Sequence, residues 1–189
     1  MESLTKKENR YLRFKRIHSF IGSIILIPLL IPLFIIVLLI NLIATKGHPF
    51  YKQQRYGYQR KIFYIYKFRS MDDSGKSNFW GRFIRFTSID ELLQIFNILK
   101  GDMNFVGPRP LSIKEEDMDI LRKDSNPSPY LVRPGLTGYA QIRFNHLEDK
   151  NIKINHDVYY VEHMSLLFDL KIIVLTIFKL VPVTIHHKK

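Results

Sequence analysis

The sequence predicts a mostly α-helical protein with one small β-hairpin, a monotopic membrane protein held by a re-entrant N-terminal helix and by interfacial amphipathic helices. Three observations carry that expectation. Residues 17–45 form a charge-free run dominated by Ile and Leu. Basic residues crowd both of its ends. Beyond it, one short segment has strand character and the other periodic stretches repeat at helical spacing.

The first element is the apolar run. As one straight helix it would reach roughly 43 Å, more than a hydrocarbon core of about 30 Å, so simple spanning is open to it. Two features favour a re-entrant hairpin instead. Lys6, Lys7, Arg10, Arg13, Lys15 and Arg16 precede it, and Lys46, Lys52, Arg55, Arg60 and Lys61 follow it. Cations prefer the cytoplasmic side, so both ends want the same face. Pro28 and Pro32 lie inside it, and each removes a backbone donor and crowds the preceding turn, which marks a membrane break there. The freed carbonyls need partners, for which Ser23 is the nearest hydroxyl. A cleaved leader is excluded by the length of the run and by Ala44-Thr45-Lys46, which offers no small-residue cleavage site.

The charge is as lopsided as the hydropathy. Of the net +12, nearly all sits in residues 1–71, where the only acids are Glu2 and Glu8. Basic flanks around oil suit anionic membrane lipids. A nucleic-acid binder would cluster its cations with stacking aromatics on a folded face, and no such cluster stands outside the flanks. The 189 residues suit one functional unit, divided as a basic N-terminus and membrane helix over 1–45, a cytoplasmic catalytic domain over 46–156, and a C-terminal amphipathic helix from 157 to 189. The absence of cysteine excludes a disulfide scaffold and a thiol nucleophile.

Residues 61–71 (KIFYIYKFRSM) read as a strand, with Tyr56-Gly57-Tyr58 able to turn a hairpin, and 72–78 as a loop. Residues 87–100 read as one helix, with Ile89, Leu92, Leu93, Phe96 and Leu99 in register and Gly101 as its stop. Gly107-Pro108-Arg109-Pro110 and 124–129 read as loops, and the glycines of Arg133-Pro134-Gly135-Leu136-Thr137-Gly138 permit positive φ. Residues 157–181 read as a further helix. Asp169, Lys171 and Lys179 place it in the interface, and the alternative is a core helix of the soluble part.

Asp90-Glu91 has two readings. Ser88 with Glu91 makes a capping box, and acids in a first turn complement the helix dipole. A carboxylate held ionised at a helix start also suits a nucleophile or a metal ligand. Arg109, between two prolines, offers a phosphate fork on a stiff backbone, or else snorkels or pairs with a structural acid. The seven histidines show no HExxH spacing, and Gly-rich nucleotide loops are absent.

Six motifs taken in order resemble the bacterial sugar transferases, the small monotopic phosphoglycosyl transferases that act on polyprenol phosphate. They are Ile65-Tyr66-Lys67-Phe68-Arg69-Ser70-Met71, Thr87-Ser88-Ile89-Asp90-Glu91-Leu92, Asn97-Ile98-Leu99-Lys100-Gly101-Asp102-Met103, Val106-Gly107-Pro108-Arg109-Pro110, the Arg133–Gly138 segment, and Asp157-Val158-Tyr159-Tyr160. The resemblance implies transfer of a sugar-1-phosphate from a UDP-sugar to undecaprenyl phosphate, with UMP leaving and Mg²⁺ required, as the start of surface-glycan synthesis. It implies Asp90 as the nucleophile of a phosphosugar-enzyme intermediate and Glu91 as its catalytic neighbour. Asp90, Glu91 and Asp157 would hold the metal, and Lys67, Arg85, Arg109 and Arg133 the substrate phosphates. It implies the cytoplasmic face of the bacterial inner membrane. The sequence departs from the family at Ile31-Pro32, where Ser-Pro is common, and over 144–155, which lacks the usual Asn and Trp pattern. A non-catalytic monotopic scaffold for a glycan-assembly complex is the rival class. Nothing in the sequence fixes an oligomeric state.

Overall fold

A 39-residue helix, α1 (Lys6–Ala44), opens the chain and sets the position of everything after it. Thr5 and Glu8 start it as a reciprocal capping box, with the Glu8 carboxylate accepting from the Thr5 amide at 2.6 Å. In the computed structural model, which describes residues 4–72, 74–143 and 149–180, α1 runs on through Pro28 and Pro32. The Ser23 hydroxyl donates to the carbonyl of Phe20 at 2.7 Å. That carbonyl is not one the prolines orphan, since each proline releases the carbonyl four residues before it.

One stripe of α1 packs on the rest of the chain toward both of its ends, where Lys15, Ser19, Ser23, Val37 and Asn41 are buried, with no buried residue between Ser23 and Val37. Lys15 is buried in an ion pair with Asp169 at 2.7 Å, and Arg16 donates to the carbonyls of Ile98 and Leu99. Further along, Phe34 meets Phe96, Val37 packs with Phe68, Ile84 and Leu93, and Asn41 joins the indole of Trp80 to the carbonyl of Pro49. The remaining faces expose apolar side chains, with Leu29 at 70% and Ile43 at 83% exposure. Two of the cations that the sequence assigns to lipid, Lys15 and Arg16, are therefore turned inward as structural partners.

The hairpin forms as its alternation predicts. Strands β1 (Phe50–Tyr56) and β2 (Ile62–Phe68) pair antiparallel, with Gln53 opposite Ile65 and Tyr51 opposite Lys67. Two further strands escaped the sequence reading: β3 (Asn104–Val106) and β4 (Gly135–Thr137) pair in parallel. Here the glycines serve approach rather than positive φ. A Cβ on Gly135 would lie 2.1 Å from the amide nitrogen of Gly107, so only hydrogen fits between the two backbones.

Helix α2 (Phe79–Phe86) buries Gly81 and Ile84 and exposes Phe79, Phe83 and Phe86 at i, i+4 and i+7. The helix predicted over 87–100 is instead a 3₁₀ turn, Ile89–Gln94, running into α3 (Ile95–Lys100). Ser88 sits at φ 57 and makes no cap bond, so the expected capping box does not form. Its intended partner, Glu91, is drawn to cations instead, and that stronger attraction decides the local backbone. After α4 (Glu116–Asp124) and α5 (Tyr139–Arg143), the last predicted helix proves to be two: α6 (Lys150–His163) and α7 (Leu166–Leu180). Asp169 of α7 turns inward, accepting from Tyr160 and Tyr11 and pairing with Lys15. Leu167 and Phe178 of the same helix face outward. Residues 144–148 of the stretch lacking the Asn and Trp pattern, and 181–189 of the C-terminal segment, lie outside the described residues.

Candidate active site

Three elements meet at the Asp90-Glu91 pair. The 3₁₀ turn carries both carboxylates, β2 carries Lys67, and the stiff loop after β3 carries Arg109. Lys67 donates to Oε1 of Glu91 at 2.5 Å, and Arg109 reaches the same oxygen at 3.4 Å. Burial alone would raise the Glu91 carboxyl, but Arg109 and Lys67 together hold it below the usual range. Glu91 is thus a fixed anion pinning two cations in place.

Asp90 is the opposite case. It is only 7% exposed, and burial pushes its carboxyl up from 3.8 to about 6. Lys67 and Arg85 pull it down and the neighbouring Glu91 pushes it up, yet burial dominates. The result is a carboxylate more basic than an exposed one, and therefore a better nucleophile once ionised. Two adjacent acids with pKa values driven apart fit a division of labour, Glu91 structural and Asp90 reactive.

Glu91, Lys67 and Arg109 line a narrow cleft of about 10 Å³, together with Gln94, Gln141 and Arg55, and Asp90 is not among its lining residues. Arg55 is the residue that sequence reasoning missed, having counted it only as a membrane-flanking cation. It stands on β1, donates to the carbonyl of Pro110 at 3.2 Å, and pairs with Glu115 at 3.4 Å. Its Nε is buried without a partner among the described residues. No motif marks it; the antiparallel bridge of Arg55 to Ser112 and its bond to the Pro110 carbonyl bring it beside Arg109.

Of the predicted phosphate-binding residues, the structure brings Lys67 and Arg109 to Glu91, and sets Arg85 close enough to act on Asp90. Arg133 lies elsewhere. Its Nε donates to the carbonyl of Gly101 at 2.9 Å and its plane covers Tyr58. Asp157 is also elsewhere, 1% exposed and paired with Arg122 at 2.6 Å. No cluster of three acid or histidine ligands exists among the described residues. The carboxylates that remain, Asp90 and Glu91, are of the donor type that magnesium takes, with Oε1 of Glu91 held by Lys67 and Arg109. That ion takes hard oxygens, and one or two carboxylates suffice where substrate phosphates complete the shell.

A buried, basic Asp90 carboxyl beside Lys67 and Arg85, next to a Glu91 cleft that Arg109 and Arg55 also line, makes a cationic site of the kind that suits an anionic ligand. The chain belongs to the bacterial sugar transferase family, whose pattern matches residues 10–182. It is 35% identical, over 88% of its length, to the UDP-glucose:undecaprenyl-phosphate glucose-1-phosphate transferase of Klebsiella pneumoniae, covering 40% of that protein. It is 34% identical, over 88% of its length, to the UDP-N-acetylgalactosamine-undecaprenyl-phosphate N-acetylgalactosaminephosphotransferase of Aeromonas hydrophila, covering 43% of it. It is 42% identical to the uncharacterized sugar transferase EpsL of Bacillus subtilis over 70% of each chain. The chain spans about two fifths of the length of the Klebsiella and Aeromonas relatives.

Proposed function

We propose that the protein is a phosphoglycosyl transferase that moves a sugar-1-phosphate from a UDP-sugar to undecaprenyl phosphate and so starts a surface glycan. The observation that carries this reading is the Asp90 carboxyl, raised to about 6 by burial beside the Lys67–Glu91–Arg109 ion-pair set. In the proposed reaction an Asp90 oxygen bonds to the phosphorus that bears the sugar. The bond from that phosphorus to the bridging oxygen breaks, and UMP leaves with the bonding electrons. An oxygen of undecaprenyl phosphate then bonds to the same phosphorus, and the Asp90 carboxylate is released. Lys67, Arg85 and Arg109 offset the diphosphate's charge, which would otherwise repel the attacking carboxylate. Asp90 and Glu91 would hold Mg²⁺, which supplies charge neutralisation at the phosphates.

The topology belongs to the same proposal: a re-entrant α1 in the cytoplasmic leaflet of the inner membrane, with α2 and α7 in the interface and residues 46–156 as the catalytic part. Arg16 and Phe34 are eighteen residues apart, about 27 Å along a straight helix, yet both reach side chains or carbonyls of the six-residue α3. A helix bent at Pro28 and Pro32 accommodates both contacts with ease. Exposed Phe79, Phe83 and Phe86, with Leu167 and Phe178, supply further surface for lipid.

The test is UMP release by the full chain in lipid, with Mg²⁺, undecaprenyl phosphate and a panel of UDP-sugars. Release from at least one donor is the expected result. No release from any would overturn the reading in favour of a non-catalytic scaffold, and release by Asp90→Ala at the parent rate would overturn Asp90 as the nucleophile.

A further inference from the structure

Away from the cleft, the N-terminal part of α1 together with Tyr58, Asn104 and Arg133 lines an open second cavity of about 480 Å³. Its charge is unusual. Arg13, Arg16 and Arg133 all line it, and no carboxylate does. Arg16 feels the like charge of Arg133, and Asp102 offsets only part of it. Both Arg16 and Arg133 spend donors on the last carbonyls of α3, at Ile98, Leu99 and Gly101. That capping role does not employ Arg13, which is exposed and makes no ion pair among the described residues, nor the terminal nitrogens of Arg133.

A second feature is independent of charge. Asn104 of β3 lines the same cavity, is 1% exposed, and its Oδ1 is buried without a partner. A buried amide oxygen with no donor is costly, and its vacancy asks for a ligand N–H or O–H. A third feature is place. Ile17 lines the cavity and is 55% exposed, and Ile21 and Ile24, one and two turns on, are each 49% exposed along the apolar face of α1. A ligand head in the cavity would have its tails on that face.

We propose that this cavity binds an anionic phospholipid with a hydroxyl-bearing headgroup, of the phosphatidylglycerol type, at a site separate from the Glu91 cleft. The phosphodiester meets Arg13 and Arg133, the headgroup hydroxyl donates to Asn104 Oδ1, and the acyl chains run from Ile17 toward Ile24. The phosphate chemistry explains the arginines, the hydroxyl explains the orphaned amide, and the tails explain why the cavity opens at the edge of the apolar run. The inference rests on the membrane placement of α1 proposed above and not on the transferase reaction, which UMP release reports separately.

The test is lipid binding to the delipidated full chain in detergent, read by native mass spectrometry. Phosphatidylglycerol is expected to bind about tenfold more tightly than phosphatidylcholine or phosphatidylethanolamine, on the scale of about 1 kcal/mol per basic residue near an anionic lipid. It should bind about fivefold more tightly than phosphatidylmethanol, which keeps the charge and lacks the hydroxyls. Asn104→Ala should erase that second preference and keep the first. Arg13→Gln, at an exposed position that folding does not use, should weaken both anionic lipids about fivefold. Arg133→Gln should do the same where it folds. Equal binding of phosphatidylglycerol and phosphatidylcholine, or indifference to Arg13→Gln, would overturn the proposal. So would displacement by soluble glycerol phosphate at the same concentration, which would make this a free-anion site. Mole-for-mole displacement by undecaprenyl phosphate would assign the cavity to the acceptor and overturn it equally.

Discussion

Replacing Asp90 by Asn should abolish turnover and, at neutral pH without metal, make the protein more stable. The folded-state carboxyl is raised from 3.8 to about 6. A raised carboxylate opposes folding: between those two pH values the folded chain binds the proton that the unfolded chain has already lost. The penalty is therefore absent below about 3.8, grows through the window, and is complete above about 6. A shift of about two units at 1.36 kcal/mol each sets a ceiling of about 3 kcal/mol, and residual solvent access reduces this to about 1–2 kcal/mol. For a chain of this size that is about 2–8 °C in Tm. The assay is thermal unfolding of parent and Asp90→Asn in one detergent with EDTA, at pH 7.5 and pH 4. The gain should be present at pH 7.5 and nearly gone at pH 4, while UMP release falls to less than about 10⁻³ of the parent. A loss of stability at pH 7.5, or an equal gain at both pH values, would refute the assignment of a burial-raised carboxyl.

The same carboxyl predicts that UMP release falls about tenfold per pH unit below about 6, and that raising Mg²⁺ moves this limb to lower pH because a cation favours the ionised form. A flat profile from pH 7 to pH 5 would contradict it. The chain has no cysteine, so Lys6→Cys and Lys46→Cys provide single labels, and an impermeant thiol reagent should reach both from the cytoplasmic side only. Labelling from opposite sides would establish a span. Asp157→Asn leaves Arg122 buried and unpaired at 2% exposure and should cost about 3–5 kcal/mol in denaturant unfolding, a loss that a surface acid would not show. Ser88 sits at φ 57, so Ser88→Gly should keep or slightly raise stability, whereas Ser88→Val should cost about 1–3 kcal/mol. Equal tolerance of both would mean the left-handed turn is not held.

The elements legible in the sequence are those with a long or pure pattern. The alternation in KIFYIYKFRSM predicts β2, and the unbroken Ile and Leu run predicts α1. Strands β3 and β4 escaped because three residues carry no period, and the parallel pairing depends on Gly107 and Gly135 meeting from distant parts of the chain. The split between α6 and α7 falls at Met164-Ser165, where neither residue is a strong breaker. Ser165 caps the new helix, its Oγ accepting from the Phe168 amide at 3.3 Å, and Asp169 is held by Lys15, Tyr11 and Tyr160. At the candidate site, motif order indicated Asp90, Glu91, Lys67 and Arg109. It could not show that Ser88 forgoes its cap, that Arg55 lies beside Arg109, or that Arg133 and Asp157 are engaged elsewhere. Those facts depend on which charges share a low-dielectric space, and one-dimensional spacing does not carry that information.

Helix α1 furnishes part of the interior of the body that follows it. Val37 lies among Phe68, Ile84 and Leu93, and Lys15 neutralises the otherwise stranded carboxylate of Asp169. A shortened chain beginning at residue 46 would therefore bare an oily trough and an orphaned acid. The inner faces of the body are therefore complete only once α1 has docked on them, so helix and body mature as one cooperative unit.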